Sequence, residues 1–239
     1  MINYDQLAEN YGKYRQVHPE VFRALAAGSG VTRESKVLEV GCGTGNYIIA
    51  LQQLTGCQAW GVEPSEKMLE VARGRTGEVT FSAGRAEEIG LEGIEFDLIF
   101  TVDVIHFIKD RSAYCRNALA LLRSGGRICT VTDDHEIIMA RRPLTNYFPE
   151  TVPFELARYP RDGEVQGLMR EAGFREIVED RVRYEKDLTD IGLWRNKASS
   201  TLNLIPEEAF QRGIARMEED LKKGPIRWVS PYLLIWGMR

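Results

Sequence analysis

The 239 residues, 44% hydrophobic and 28% charged, have the composition of a globular chain, long enough for one domain with insertions and a large core. A formal charge of −4 supplies no basic footprint for nucleic acid, and no apolar run approaches the ~20 residues of a membrane span. No early apolar run follows a positive start as in a secretory signal, and Cys42, Cys57, Cys115 and Cys129 form no CxxC pair, so reduced packing cysteines and a cytoplasmic location are expected.

In chain order, residues 4–27 read as helical, with Pro19 breaking the stretch and opening a second helix that Gly28-Ser29-Gly30 ends. His18, beside that proline, reads as an exposed turn residue. Strands are predicted over about 36–41, 58–63, 78–82 and 96–102, the last apolar enough to be buried on both faces. Helices are predicted over 45–55, after Ser65 as N-cap, as a short turn over 87–89, and from Asp110 to a stop at Gly125-Gly126. A strand over 127–132, a helix over 163–172, a strand over 174–184 and a helix from Pro206 to Gly224 follow. The last strand is expected over 232–238, with Pro231 suited to the first position of a strand and no later one. Two segments, 135–161 and 187–224, interrupt the alternation; the alternation itself argues a mostly parallel, doubly wound sheet.

The densest signal is Val37-Leu38-Glu39-Val40-Gly41-Cys42-Gly43-Thr44-Gly45-Asn46. A buried strand enters a turn whose glycines let the backbone approach a ligand closely, and a helix follows at once. Glu63 closes the next strand, 22 residues beyond Gly41, where an acid reaches both hydroxyls of a ribose. The spacing Gly41-x-Gly43-x-Gly45 departs from the dinucleotide fingerprint and speaks against a nicotinamide oxidoreductase.

On these residues, and on Gly61-Val62-Glu63-Pro64-Ser65, Phe96-Asp97-Leu98-Ile99-Phe100 and Leu122-Arg123-Ser124-Gly125-Gly126-Arg127, the chain resembles the class I S-adenosylmethionine-dependent methyltransferases. It is most similar to the small-molecule group that includes ubiquinone and menaquinone biosynthesis enzymes. The resemblance covers about residues 1–134 and fades afterwards. It implies a Rossmann-like α/β fold of seven strands in the order 3-2-1-4-5-7-6, the last antiparallel, with the two insertions as a cap. It also implies methyl transfer from S-adenosylmethionine to a small organic molecule, with S-adenosylhomocysteine as product. The same fold as a non-catalytic binding module is the alternative reading. A small-molecule partner, no nucleic acid, and a monomer or homodimer are expected.

By the same resemblance, Gly41, Cys42, Gly43 and Gly45 pass under the methionine part of the donor and Glu63 holds the ribose. Pro64 and Met68 flank the adenine, although a Met at helical spacing also reads as packing. Relatives carry an acid where this chain has Arg85, which cannot accept a hydrogen bond, so the backbone of Ala86 or the side chain of Glu87 stands in for the adenine contact. The backbone near Thr101 and Val102 receives the donor's amino group. His106 is the first candidate for a general base, with packing against the adenosine or capping of the following helix as the competing role. Tyr11, Tyr14 and Arg15 resemble a Tyr-x-x-Tyr-Arg element that covers the donor, which makes residues 1–30 an N-terminal helical cover. Asp133-Asp134-His135 with Asp103 offers oxygen ligands for Mg²⁺, but no fuller metal signature exists and no metal is expected. The insertions carry Tyr147, Phe148, Phe154, Tyr159, Trp194, Arg141 and Arg142. Their aromatics suit an acceptor pocket or small local cores, and an arginine there suits a carboxylate.

Overall fold

A computed structural model describes residues 16–239. The Tyr11, Tyr14 and Arg15 element lies outside the described residues. Helix α1 (Pro19–Ser29) starts at the predicted proline. His18 is half-buried rather than an exposed turn residue: its Nδ1 accepts from Val21 N at 3.2 Å as the helix cap, and its Nε2 meets Ser230 O at 3.1 Å. Strand β1 (Lys36–Val40), helix α2 (Asn46–Thr55), strand β2 (Gln58–Glu63), helix α3 (Glu66–Arg73), β3 (Val79–Ala83) and β4 (Phe96–Val102) follow the predicted order. Ser65 Oγ caps α3 by accepting from Met68 N at 3.3 Å.

The turn expected over 87–89 is not helical; Arg85 and Glu88 form an isolated antiparallel bridge. Asp110 caps α4 (Arg111–Leu121) as expected, Oδ1 accepting from Ala113 N at 2.8 Å. This helix ends at Leu121, before the glycine pair, and β5 (Leu122–Thr132) starts directly. Gly126 belongs to β5 and is needed for close approach: a Cβ there would meet Phe96 O and Arg123 O at 2.9 Å.

The seven strands form one sheet in the order β3-β2-β1-β4-β5-β7-β6. β1 to β5 pair in parallel, and β7 (Ile226–Met238) runs antiparallel to both β5 and β6 (Arg175–Leu188). Helix α8 (Glu164–Ala172) precedes β6. The last two strands extend well beyond their predicted spans, and Pro231 falls inside β7. Val229 exchanges both backbone bonds with Arg142 on the flank away from β6. Two residues on, Pro231 faces that same flank, where β5 pairing has not yet begun, so its missing N–H costs no ladder bond.

Apolar side chains fill both faces of the sheet. Leu38, Val40, Ile99 and Ile128 pack with α4 and α8 on one face. Val37, Leu98, Phe100 and Val131 pack with α1 and α2 on the other. The interruptions fold into short helices α5 (His135–Ala140), α6 (Leu144–Tyr147) and α7 (Val152–Arg158), then α9 (Gly192–Arg195) and α10 (Glu207–Leu221). Leu144, Tyr147 and Phe148 of the first join Trp194, Phe210 and Met217 of the second in one local core, seated on the overhang of β6 and β7. Gly213 admits Phe148 to that core; a Cβ would lie 2.2 Å from the ring. No helix among the described residues is long and apolar enough to cross a membrane.

Candidate functional site

The carboxyl ends of β1, β2 and β4 converge on the glycine loop. Gly41, Gly43 and Gly45 hold φ of 73°, 53° and 79°, the left-handed region that glycine enters without steric cost. Gly41 is fixed by packing too, since a Cβ would meet Val104 Cγ1 at 2.6 Å. Gly41 N and Cys42 N donate to Val62 O at 2.7 and 3.1 Å, tying the loop to β2. Arg75 braces its outer side through Thr44 O at 2.6 Å and Asn46 Oδ1 at 2.5 Å.

Two buried acids organise this corner. Glu39 Oε2 accepts from Ile48 N at 2.9 Å in the first turn of α2. Burial, reinforced by the nearby Glu63, pushes its carboxyl well above the usual range against the pull of that bond. Glu63 accepts from Gly43 N through Oε2 and from Ser65 N through Oε1, both at 3.1 Å. Cys42 lies against Gly61, and burial raises its thiol well above the ordinary value, which marks it as packing rather than a nucleophile.

A cavity of about 600 Å³ lies between this corner and the cap. The glycine loop (Gly41, Cys42, Gly43, Thr44), Tyr47, and the β4 tip (Val102, Asp103, Val104) form one side. Arg141, Arg142, Leu144 and Trp194 from the cap close another. Tyr184 and Lys186 of β6, with Trp228, Ser230 and Tyr232 of β7, complete it. That volume is in the range of small-molecule sites.

Of the residues assigned by resemblance, Gly41, Cys42, Gly43 and Val102 wall the cavity, while Gly45 serves as N-cap of α2. Glu63, Pro64, Met68, Ala86 and Glu87 lie outside it, along the ends of β2 and β3. Met68 is buried at 2% exposure. Glu87 Oε1 accepts from Lys109 N at 3.0 Å, and Arg85 is an exposed residue 3.6 Å from Glu87. Thr101 is fully buried in β4 beside Thr130. His106 is 8% exposed, stacked on Tyr159 with ring centroids 4.1 Å apart, and is not among the cavity walls.

The residues that the sequence offered as oxygen ligands have organic partners. Asp133 pairs with Arg141 and Asp134 with Arg181, while Asp103 Oδ1 accepts from Tyr159 Oη at 2.7 Å. No group of three or more possible ligands occurs among the described residues.

Sequence reasoning placed four features of this site in no organic-ligand cavity. Asp103 adopts φ 57°, a conformation that Asp tolerates better than most residues. Trp228, Ser230 and Tyr232 recur at period two from upstream of the expected strand into its first residue, a signal that Pro231 obscured. Tyr184 and Lys186 repeat the pattern in β6. His18 links α1, Tyr47 and Ser230 through two backbone groups and its ring.

The corner suits S-adenosylmethionine on its own terms. The loop excludes any Cβ at Gly41, Thr44 Oγ1 is buried there with no partner among the described residues, and the Glu63 carboxylate lies beside the loop. A family profile described as a methyltransferase domain matches residues 38–130. The O-methyltransferase resE of Aspergillus sclerotiorum is 25% identical over 69% of this chain and 64% of its own length. The O-methyltransferase cnsE of Penicillium expansum is 29% identical over 65% of this chain and 54% of its own. The chain thus spans less than two thirds of these curated relatives. Demethylmenaquinone methyltransferase of Bacillus subtilis (strain 168) is 25% identical over 73% of this chain and 85% of its own.

Among solved structures, a protein of Anabaena variabilis described as a methyltransferase from an antibiotic biosynthesis pathway superposes with a TM-score of 0.72. It is 20% identical, covering 91% of this chain and 96% of that one. Phosphoethanolamine N-methyltransferase 2 of Haemonchus contortus, solved with S-adenosylhomocysteine, gives 0.58 at 18% identity, covering 92% and 52%. Its methyltransferase-domain match over residues 38–130, its strand order and these likenesses support a class I S-adenosylmethionine-dependent methyltransferase.

Proposed function

We propose that this protein transfers the methyl group of S-adenosylmethionine to a small organic molecule enclosed between the strand tips and the cap. The observation that carries the reading is the single cavity bounded by the glycine loop and β4 tip on one side and by both insertions on the other. Gly41–Gly43 would hold the methionine part of the donor and Glu63 its ribose, and the bound donor would supply an electrophilic methyl group. An acceptor beneath the cap faces it. The acceptor lone pair forms the new bond as the carbon–sulfur bond breaks and sulfur keeps the pair. The protein's part is to hold the two in line and keep water out.

In this reading residues 135–161 and 187–224 form the acceptor-site lid. Their aromatics divide between the two roles open in the sequence. Tyr147 and Phe148 build the local core, whereas Trp194 joins that core and also lines the cavity. His106 lies outside the cavity walls, so its support as a general base is weaker than that of a group facing the acceptor.

Titration calorimetry with S-adenosylhomocysteine tests the donor half, and a radiolabelled methyl-transfer screen over small hydroxyl, amine and thiol acceptors tests the rest. The expected result is binding of the product together with transfer to at least one class. Failure of both donor and product to bind overturns the reading.

A further inference from the structure

One buried hydroxyl holds the cavity's two most telling polar groups in place. Tyr159, 4% exposed and not itself a wall residue, donates from Oη to Asp103 Oδ1 at 2.7 Å. Arg141 Nη2 in turn donates to Tyr159 Oη at 3.5 Å. Asp103 and Arg141 both face the cavity. Asp103 is also fixed through its backbone, with φ 57° and its N–H bonded to Val131 O at 2.9 Å. Arg141 is neutralised from behind by Asp133, yet its Nη1 and Nε donate to no protein group among the described residues. Burial keeps the Tyr159 phenol protonated, with the neighbouring Asp103 acting in the same direction, so the hydroxyl remains a donor to the carboxylate.

An arginine can only donate and a carboxylate only accept. A ligand that satisfies both must present an acceptor and a donor side by side, as an oxygen next to a hydroxyl does. We propose that Arg141 and Asp103 form the acceptor-recognition element, and that the acceptor is a small, flat hydroxy acid or enol with its hydroxyl adjacent to a carboxylate or carbonyl. The neighbouring oxygen takes the Arg141 N–H groups and the hydroxyl donates to Asp103. Tyr159 is the positioning residue.

The proposal rests on the reading of this cavity as the acceptor site, and two features of the cavity support it. The walls beyond the pair are aromatic (Tyr184, Trp194, Trp228 and Tyr232) and suit a planar apolar body. Asp103 adjoins Val104, which packs against Gly41, so a hydroxyl held there lies on the donor's side of the cavity.

The test uses the S-adenosylhomocysteine-loaded protein and titration calorimetry with 2-hydroxybenzoate, benzoate and phenol. 2-Hydroxybenzoate is expected to bind at least tenfold more tightly than benzoate, roughly the gain of one charge-assisted hydrogen bond. Asp103→Asn should erase that advantage and Tyr159→Phe should reduce it, with S-adenosylhomocysteine still bound, a pattern that general unfolding would not produce. Asp133→Asn with Arg141→Gln removes the charge without stranding a partner, and should weaken both benzoates. Equal binding of 2-hydroxybenzoate and benzoate to the wild type, or an advantage that survives Asp103→Asn, overturns the proposal. Failure of S-adenosylhomocysteine to bind at all falls instead on the methyltransferase reading.

Discussion

Glu63 and Gly43 are joined across the tips of neighbouring strands, the Gly43 amide donating to Glu63 Oε2 at 3.1 Å. Ser65 N donates to the other carboxylate oxygen at the same distance, so one side chain organises both the loop and the start of α3. Glu63→Ala should weaken S-adenosylhomocysteine about ten- to a hundredfold, the value of one or two hydrogen bonds to a charged group. Glu63→Gln should also lose affinity, because its amide nitrogen cannot accept from the second backbone N–H. Calorimetric affinities within twofold of wild type for both variants would remove Glu63 from the ribose site.

Gly41 carries two separate constraints, and they can be measured apart. Its φ of 73° penalises any side chain by roughly 1–2 kcal/mol, and a Cβ would also press on Val104 Cγ1 at 2.6 Å. Gly30 has a similar φ of 64° with open space around it. Gly41→Ala should therefore destabilise by about 1–3 kcal/mol more than Gly30→Ala in urea titrations, the range of overpacking costs. Val104→Ala in the Gly41→Ala background should recover part of that excess and none of the φ penalty. Equal losses at the two glycines would count against the packing constraint.

The strand–helix alternation and the glycine corner were legible because each rests on local pattern: Val37, Leu38 and Val40 before three glycines, and an apolar run through Phe96–Val102; the strand order came from the resemblance those motifs carry. The cavity's far wall was not. Lys186, Trp194 and Trp228 reach the site only because β6 and β7 overrun the sheet and the insertions fold onto the overhang, a tertiary arrangement without local periodicity. Pro231 concealed the start of β7, since its tolerance depends on where β5 pairing begins. Arg141 and Asp133 likewise meet across a helix whose ends the sequence did not mark.

That ion pair should behave as a unit. Asp133 is buried at 2% exposure against Arg141, and removing either partner strands the other charge. Asp133→Ala or Arg141→Ala alone should cost about 3–5 kcal/mol, whereas removing both should cost clearly less than the two together. Chemical denaturation of the four proteins in the cycle measures the coupling. Additive losses would mean that the pair contributes nothing as a pair.

His18 makes the fold sensitive to mild acid. Its ring meets two demands at once, accepting from Val21 N through Nδ1 and donating through Nε2 to Ser230 O, and only the neutral imidazole does both. Burial lowers its pKa below the ordinary 6.5, against opposing pulls from the Ser230 carbonyl and Glu20; the Tyr184 and Tyr232 rings and the Tyr47 hydroxyl complete its surroundings. The unfolded chain then takes up the proton first as pH falls. The contribution of His18 to stability is full above about pH 6.5, declines below it, and levels off once the folded histidine is also charged. His18→Asn keeps an N-cap oxygen for Val21 N and has nothing to titrate. Between pH 7.5 and pH 5 the melting temperature of the wild type should therefore fall further than that of His18→Asn, narrowing or reversing any gap at neutral pH. Parallel curves would show that the histidine keeps its charge state through that range.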